Sequence, residues 1–285
     1  MRYKRPRLFY DSDWYFVPSD DILTAIGRVA TISASIEDDP PTYEPDSLFL
    51  QVTTEGFIGQ YGGSSPVVRA ERTVRAFFGL GIALRLFRYE HKLQSVLKSY
   101  FYVHRRNPDG SWSPDNRLEV EDTTDRGLSS LKMHDLQGRL ENDEQKQGWA
   151  TFVLNNMAAI FSSEKMAEQI ILASQWFFDS HATRDGLLAF VQAMVVLEII
   201  LGDKKVSDEI GLGALMRNRC AYLIGTSNSE RSELLELFSK IYHVRSQIVH
   251  SGKHRLTLDE RSLFPRLRWM CRRIIEKGGR FAESR

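Results

Sequence analysis

The chain has 285 residues and a mass of 32.8 kDa, enough for one large domain or two of ordinary size. A hydrophobic fraction of 42% and a charged fraction of 26% fit a globular protein. The longest apolar run, Gly186 to Gly202, contains Gln192 and Glu198 and falls short of the ~18–20 uninterrupted apolar residues of a membrane span, which leaves a core helix. A net charge of +1 excludes a bulk polyanion binder.

Met1 to Arg7 is basic but no apolar segment follows it, so an intracellular, cytoplasmic protein with no membrane contact is expected. Cys220 and Cys271 make no disulfide framework, and their spacing is no metal signature; both read as buried thiols. Ser19-Asp20-Asp21 suits the cap of a short helix over Ile22–Ile36. Asp38 to Pro41 breaks the chain. Leu48 to Thr54 alternates as a strand does, and Phe57–Tyr61 continues it after Glu55-Gly56.

Val67 to Phe87 predicts a helix with apolar residues on more than one face, and Gln94 to His104 a strand. Asn107-Pro108-Asp109-Gly110 signals a turn, and the polar stretch up to Arg126 predicts a long loop. From about Glu141 the pattern becomes helical, with no proline between Pro114 and Pro265. Helices are expected near 142–161, 164–180, 185–202, 207–224, 229–250 and 258–277. Ser162-Ser163-Glu164 and Asp185 act as starts, Ser229 opens the fifth helix, and Gly202 and Gly225 act as ends. The fold class read from this is α+β: a mixed N-terminal region over residues 1–140, then an all-α bundle over 141–285.

Charge is unevenly distributed. From Lys240 to Arg285 twelve basic residues face four acidic ones, a surplus of eight, so residues 1–239 carry a net −7. Two readings stand: a localised phosphate-binding surface, or a solvated helix face.

The segment Ile241 to Gly252 carries the chemistry. Leu234, Leu237, Ile241, Val244 and Ile248 recur at three- and four-residue steps and define a buried stripe. Arg245 follows a stripe position and His250 lies five residues on, about 140° around the helix and about 7.5 Å along it. Such side chains do not stack, but they can converge on one groove from its two sides. A histidine exchanges protons near neutral pH with a ribose 2′-hydroxyl or a leaving oxygen. A guanidinium holds a phosphate by parallel hydrogen bonds as negative charge builds up. An Arg and a His five apart also occur by chance, so context has to decide.

In that context the sequence resembles the HEPN superfamily, in particular its ApeA-like branch, over roughly residues 145–255. The family's R-x4-6-H motif matches Arg245 to His250, with a small polar residue, Ser246, after the arginine. Ala189 to Gly202, with Glu198, resembles the family's apolar helix that ends in a glutamate and a glycine; Leu215 to Gly225 resembles its next helix, and Ser239 to Gly252 its motif helix. The resemblance implies a helical bundle that forms a homodimer, with two motifs around one cleft. It implies a metal-independent endoribonuclease without cofactor, in many members a toxin or an antiviral defence effector, with RNA as substrate and a regulatory partner or antitoxin. Arg245 and His250 are the catalytic positions that carry over. The N-terminal region would sense a trigger or restrain the cleft. Other members have lost activity, so the alternative is a non-catalytic dimeric module that binds RNA, a nucleotide or a partner protein.

Supporting positions follow. Glu198, on an otherwise apolar face, holds either Arg245 or Arg219 in place, or else faces solvent on a helix edge. Lys253, His254 and Arg255 contact phosphates or form an exposed charged turn. His243 points to another side of the helix and reads as structural. Gly79-Leu80-Gly81 and Gly211-Leu212-Gly213 lack the context of a dinucleotide site, and Gly59 to Gly63 that of a phosphate loop. His104, His134 and His181 show no metal-ligand spacing. Trp176-Phe177-Phe178 reads as core or dimer interface, and Phe101 to Arg106 as a half-buried strand rather than a base-stacking one.

Overall fold

A computed structural model describes residues 8–9, 50, 52–54, 65–90, 100–107, 109, 111–134, 142–163, 167–203, 205–206 and 211–283. The expected helix over 22–36 and strand over 57–61 lie outside them. The described part is α+β and mostly helical. It divides into two compact units, one up to Arg75 and from Arg85 to Asn155, the other from Ala76 to Leu84 and from Asn156 onward.

The first unit carries the strands. β1 (Leu8–Phe9) and β2 (Val52–Thr53) pair in parallel. Helix α1 (Ser65–Ala83) follows. β3 (Phe87–Tyr89) pairs antiparallel with β6 (Leu131–Met133), Phe87 opposite Met133. β4 (Tyr100–Arg106) and β5 (Trp112–Glu119) form an antiparallel hairpin whose register slips by one residue after Val103. Two expectations are corrected here. The polar stretch from 111 to 126 is no loop: it forms β5 and then helix α2 (Asp122–Ser129). A two-stranded hairpin needs only its alternate residues buried, so a chain as polar as Trp112 to Glu119 pairs once Leu118 reaches the core beside Val67 and Val103. The helix expected to reach Phe87 stops at Ala83, because Arg85 takes a positive φ (64°) and turns the chain into β3. Arg75 ties α1 to the start of α2: its Nε donates to Thr124 Oγ1 at 2.6 Å, and its guanidinium pairs with Glu71 and Glu121.

The second unit is helical. After α3 (Asp143–Ser162) come α4 (Ala167–Ala182), α5 (Gly186–Leu201), α6 (Leu212–Ile224), α7 (Asn228–His250) and α8 (Leu258–Glu283). These are the six helices the periodicity predicts, with shifted ends. α3 continues through Ser162, and the rest of the expected start at Ser162-Ser163-Glu164 runs into residues 164–166, which lie outside the described ones. α7 begins one residue earlier than Ser229 suggests, because the Ser227 hydroxyl accepts from Glu230 N while the Glu230 carboxylate accepts from Thr226 N. α8 runs on past 277, through Pro265.

α5 lies at the centre, against α4, α6, α7 and α8. It has no polar face, and Phe190, Ala193, Met194, Val196 and Leu197 have no exposed surface. Asp185 caps it, its carboxylate accepting from Leu187 N and Leu188 N. Phe177 and Phe178 of α4 are buried in this unit, the core alternative of the aromatic run. Cys220 and Cys271 are fully buried; the Cys271 thiol donates to the Ala193 carbonyl at 3.1 Å. Among the described residues no helix is long and apolar enough to cross a membrane.

Two outcomes are expected. A Cβ on Gly79 of α1 would overlap the Ser174 carbonyl of α4, which is backbone and cannot swing away. Gly79→Ala should therefore destabilise the protein by about 2 kcal/mol, overpacking outweighing the gain in helix propensity, as urea unfolding would read. Burial pushes the Cys220 thiol up to about 12 and the Cys271 thiol well above its usual value. Both should resist alkylation at neutral pH in the native protein and react fully once it is unfolded, with mass spectrometry as the readout.

Candidate functional site

The R-x4-6-H segment occupies the last turns of α7. The helix is anchored by Leu234, Phe238, Ile241 and Val244, all buried, while Leu237 and Ile248 of the expected stripe are half-buried. Arg245 lies next to Val244 and so leaves the helix at the edge of the core. His250 ends the helix and is exposed, with no partner among the described residues.

Two helices bring Glu198 and Arg245 together. Glu198 sits in the last turn of α5, the only ionisable residue of that helix. Its Oε1 is 2.8 Å from Arg245 Nη2, the two side chains being 23% and 20% exposed. Of the two arginines considered for Glu198, Arg245 is the partner. Arg219 instead donates to the Leu201 carbonyl at 3.0 Å and to Asp203 at 3.3 Å. Charge attraction holds the Glu198–Arg245 pair more than hydrogen-bond alignment does: Glu198 Oε1 makes no well-aligned hydrogen bond, and Arg245 Nε is buried without a partner. A guanidinium has five N–H donors, so one carboxylate oxygen fixes its orientation without exhausting it.

Ser246 is half-buried, and its hydroxyl makes no hydrogen bond among the described residues. Lys253 is not a free cation: its Nζ donates to Gln247 Oε1 at 3.1 Å and to Glu260 Oε1 at 2.7 Å. His254 and Arg255 are exposed. His243 is exposed too, and its Nε2 lies 3.0 Å from Gln247 Nε2. Lys253 can only donate, so Gln247 must turn its oxygen to Lys253 and its NH₂ to His243. His243 Nε2 is then an acceptor.

The turn after the helix is closed locally. Ser251 N and Lys253 N both donate to the Gln247 carbonyl, and Gly252 takes φ +63°. At the start of α8 the Thr257 hydroxyl accepts from Glu260 N, and Glu260 Oε2 accepts from Thr257 N at 2.8 Å. The side-chain bond from Lys253, followed by the bonds at Thr257, holds the Glu260 carboxyl below the usual glutamate range. Gln247 and Glu260 were not among the expected site residues. The Thr257-x-x-Glu260 spacing is a capping-box signature and was the available signal for Glu260.

Among the described residues no three His, Cys, Asp or Glu side chains cluster as metal ligands would. Comparison of the chain with protein families, with curated proteins and with solved structures finds no match.

A pair one-fifth exposed lies between a surface ion pair, worth ~0–1 kcal/mol, and a buried one, whose breaking costs ~3–5 kcal/mol. Glu198→Ala should therefore cost about 2 kcal/mol of unfolding free energy, and Asp203→Ala clearly less. A double-mutant cycle with Arg245→Ala, read by urea unfolding, assigns the difference to the pair.

Proposed function

We propose that the second unit is a HEPN-type ribonuclease domain in which Arg245 and His250 cleave RNA. The observation that carries this reading is a difference in state between two residues of one helix end. The guanidinium of Arg245 is oriented from outside by Glu198, and the imidazole of His250 is exposed and unengaged. A fixed cation and a mobile proton carrier are the two components that phosphodiester cleavage by a neighbouring hydroxyl requires.

In the reaction the ribose 2′-oxygen attacks phosphorus, the new 2′-O–P bond forms and the P–O5′ bond breaks. The 2′-hydroxyl gives up one proton and the 5′-oxygen takes one. His250 exchanges a proton with one of these two oxygens, and Arg245 balances the charge that builds on the non-bridging oxygens. No metal or cofactor is needed for this balance. Arg255, Arg261 and Arg266 are exposed and have no partner among the described residues, which suits a phosphate backbone leading to the pair. Val249 and Leu258, both exposed and apolar, flank His250 in the chain and would serve the homodimer interface. A cytoplasmic toxin or defence effector is the biological setting that the family resemblance suggests.

One observation favours a second reading. Arg245 is mostly buried and already ion-paired, as an arginine with a purely structural role would be. The domain would then be a dimeric module that binds RNA, a nucleotide or a partner protein without cutting.

The full-length protein, incubated with total RNA and with tRNA in EDTA, separates the two. Cleavage that survives EDTA and falls on the order of 10²-fold or more in both Arg245→Ala and His250→Ala, with dimerisation and melting temperature unchanged, is the expected result. Salt-dependent RNA binding with no cutting by the folded wild type would instead favour the second reading.

A further inference from the structure

Between the end of α7 and the start of α8 runs an unbroken chain of side-chain contacts: His243 to Gln247, Gln247 to Lys253, Lys253 to Glu260, and Glu260 to the backbone of Thr257. Its two ends are anchored differently. Gln247 lies within the Arg245–His250 segment, two residues past the arginine. Glu260 is the third residue of α8 and closes that helix's capping box. The ion pair between them is shielded, Lys253 being 19% and Glu260 16% exposed. His250 is the last helical residue before the turn that this pair spans, and its own side chain is held by nothing described. The placement of its backbone therefore depends on how firmly residues 251–257 are fixed.

We propose that Lys253 and Glu260 are positioning residues of the Arg245–His250 site: their ion pair, relayed through Gln247, holds the 251–257 turn closed and fixes the helix end that presents His250. This deepens the ribonuclease reading and rests on it for its catalytic consequence. It also gives Lys253 a different role from a phosphate contact, because its ammonium is spent on two oxygens of the chain. Each member of the Arg245–His250 pair is thus fixed by separate means. Glu198 orients Arg245 from α5, and Glu260 secures His250 from α8.

Glu260→Gln separates the clamp from the fold. Glutamine serves in a capping box as glutamate does, so α8 keeps its cap while the charge opposite Lys253 is lost. Lys253→Met removes the ammonium and keeps the stem, and Lys253→Arg restores a cation. Two readouts apply to the full-length protein. Amide hydrogen exchange at Ser251 and Lys253 should speed up about tenfold in Glu260→Gln and Lys253→Met, with the Leu234–Val244 amides unchanged. On a single-stranded RNA oligonucleotide that the wild type cuts, kcat should fall on the order of 10²-fold, with KM within about twofold. Lys253→Arg should recover most of both. Unchanged exchange would overturn the proposal, since the turn would then not depend on the pair. Faster exchange with unchanged kcat would overturn the positioning role and leave the ribonuclease reading intact. A rise in KM alone in Lys253→Met would make Lys253 a substrate contact instead. If the wild type does not cut RNA, the ribonuclease reading has failed, and the exchange readout decides by itself whether the pair holds the turn.

Discussion

A helix without a polar face has to be covered on every side, and α5 is such a helix. From Ala189 to Leu201 its buried residues face α4, α6, α7 and α8, and the second unit is what results from supplying those covers. The one ionisable group on α5 then has few places to go. Glu198 lies in the last turn, where the covering helices part enough to leave it 23% exposed, and it meets Arg245 there. A carboxylate at such a depth is costly unless a cation answers it. The packing of an apolar helix and the orientation of a candidate catalytic arginine are therefore one constraint seen twice.

The same economy governs the basic C-terminal stretch. Much of its charge surplus is absorbed by structure. Arg245 pairs with Glu198, Lys253 with Glu260, and Arg272 and Arg273 with Glu276. Arg268 lies over the Phe264 ring and donates to the Ser180 carbonyl. Among the described residues the exposed cations that remain are Lys240, Arg255, Arg261 and Arg266, the last three following His250 in the chain. A count of charges therefore overstates how much unpaired cationic surface the stretch offers.

Glutamates close both helix starts that bear on the site. Glu230 at α7 and Glu260 at α8 each have a carboxyl held below its usual range, Glu230 chiefly by the Thr226 hydroxyl and Glu260 chiefly by Lys253. A depressed carboxyl contributes stability that is fully present above its unfolded value and is lost as pH falls through its folded value. Acid therefore loosens the start of α7 and the start of α8, while the buried side chains of α5 itself contain no group that titrates.

The sequence by itself determined the six helices from Asp143 onward, since a 3.6-residue apolar period survives whatever the partner is. It determined the buried thiols and the position of Arg245 beside a core stripe. It left Glu198 with two arginines and the alternative of solvent, because a spacing along one helix says nothing of which neighbour arrives opposite it. Only the tertiary structure chose Arg245. β5 and α2 were not legible, because a polar strand in a hairpin and a short helix tied to Arg75 by side-chain contacts depend on partners elsewhere in the chain. The Thr257–Glu260 capping box was legible as a helix start. That the free oxygen of Glu260 would reach Lys253, and through it the motif, was decided by the fold of the 251–257 turn, where a glycine at φ +63° brings two helix ends within one side chain's length.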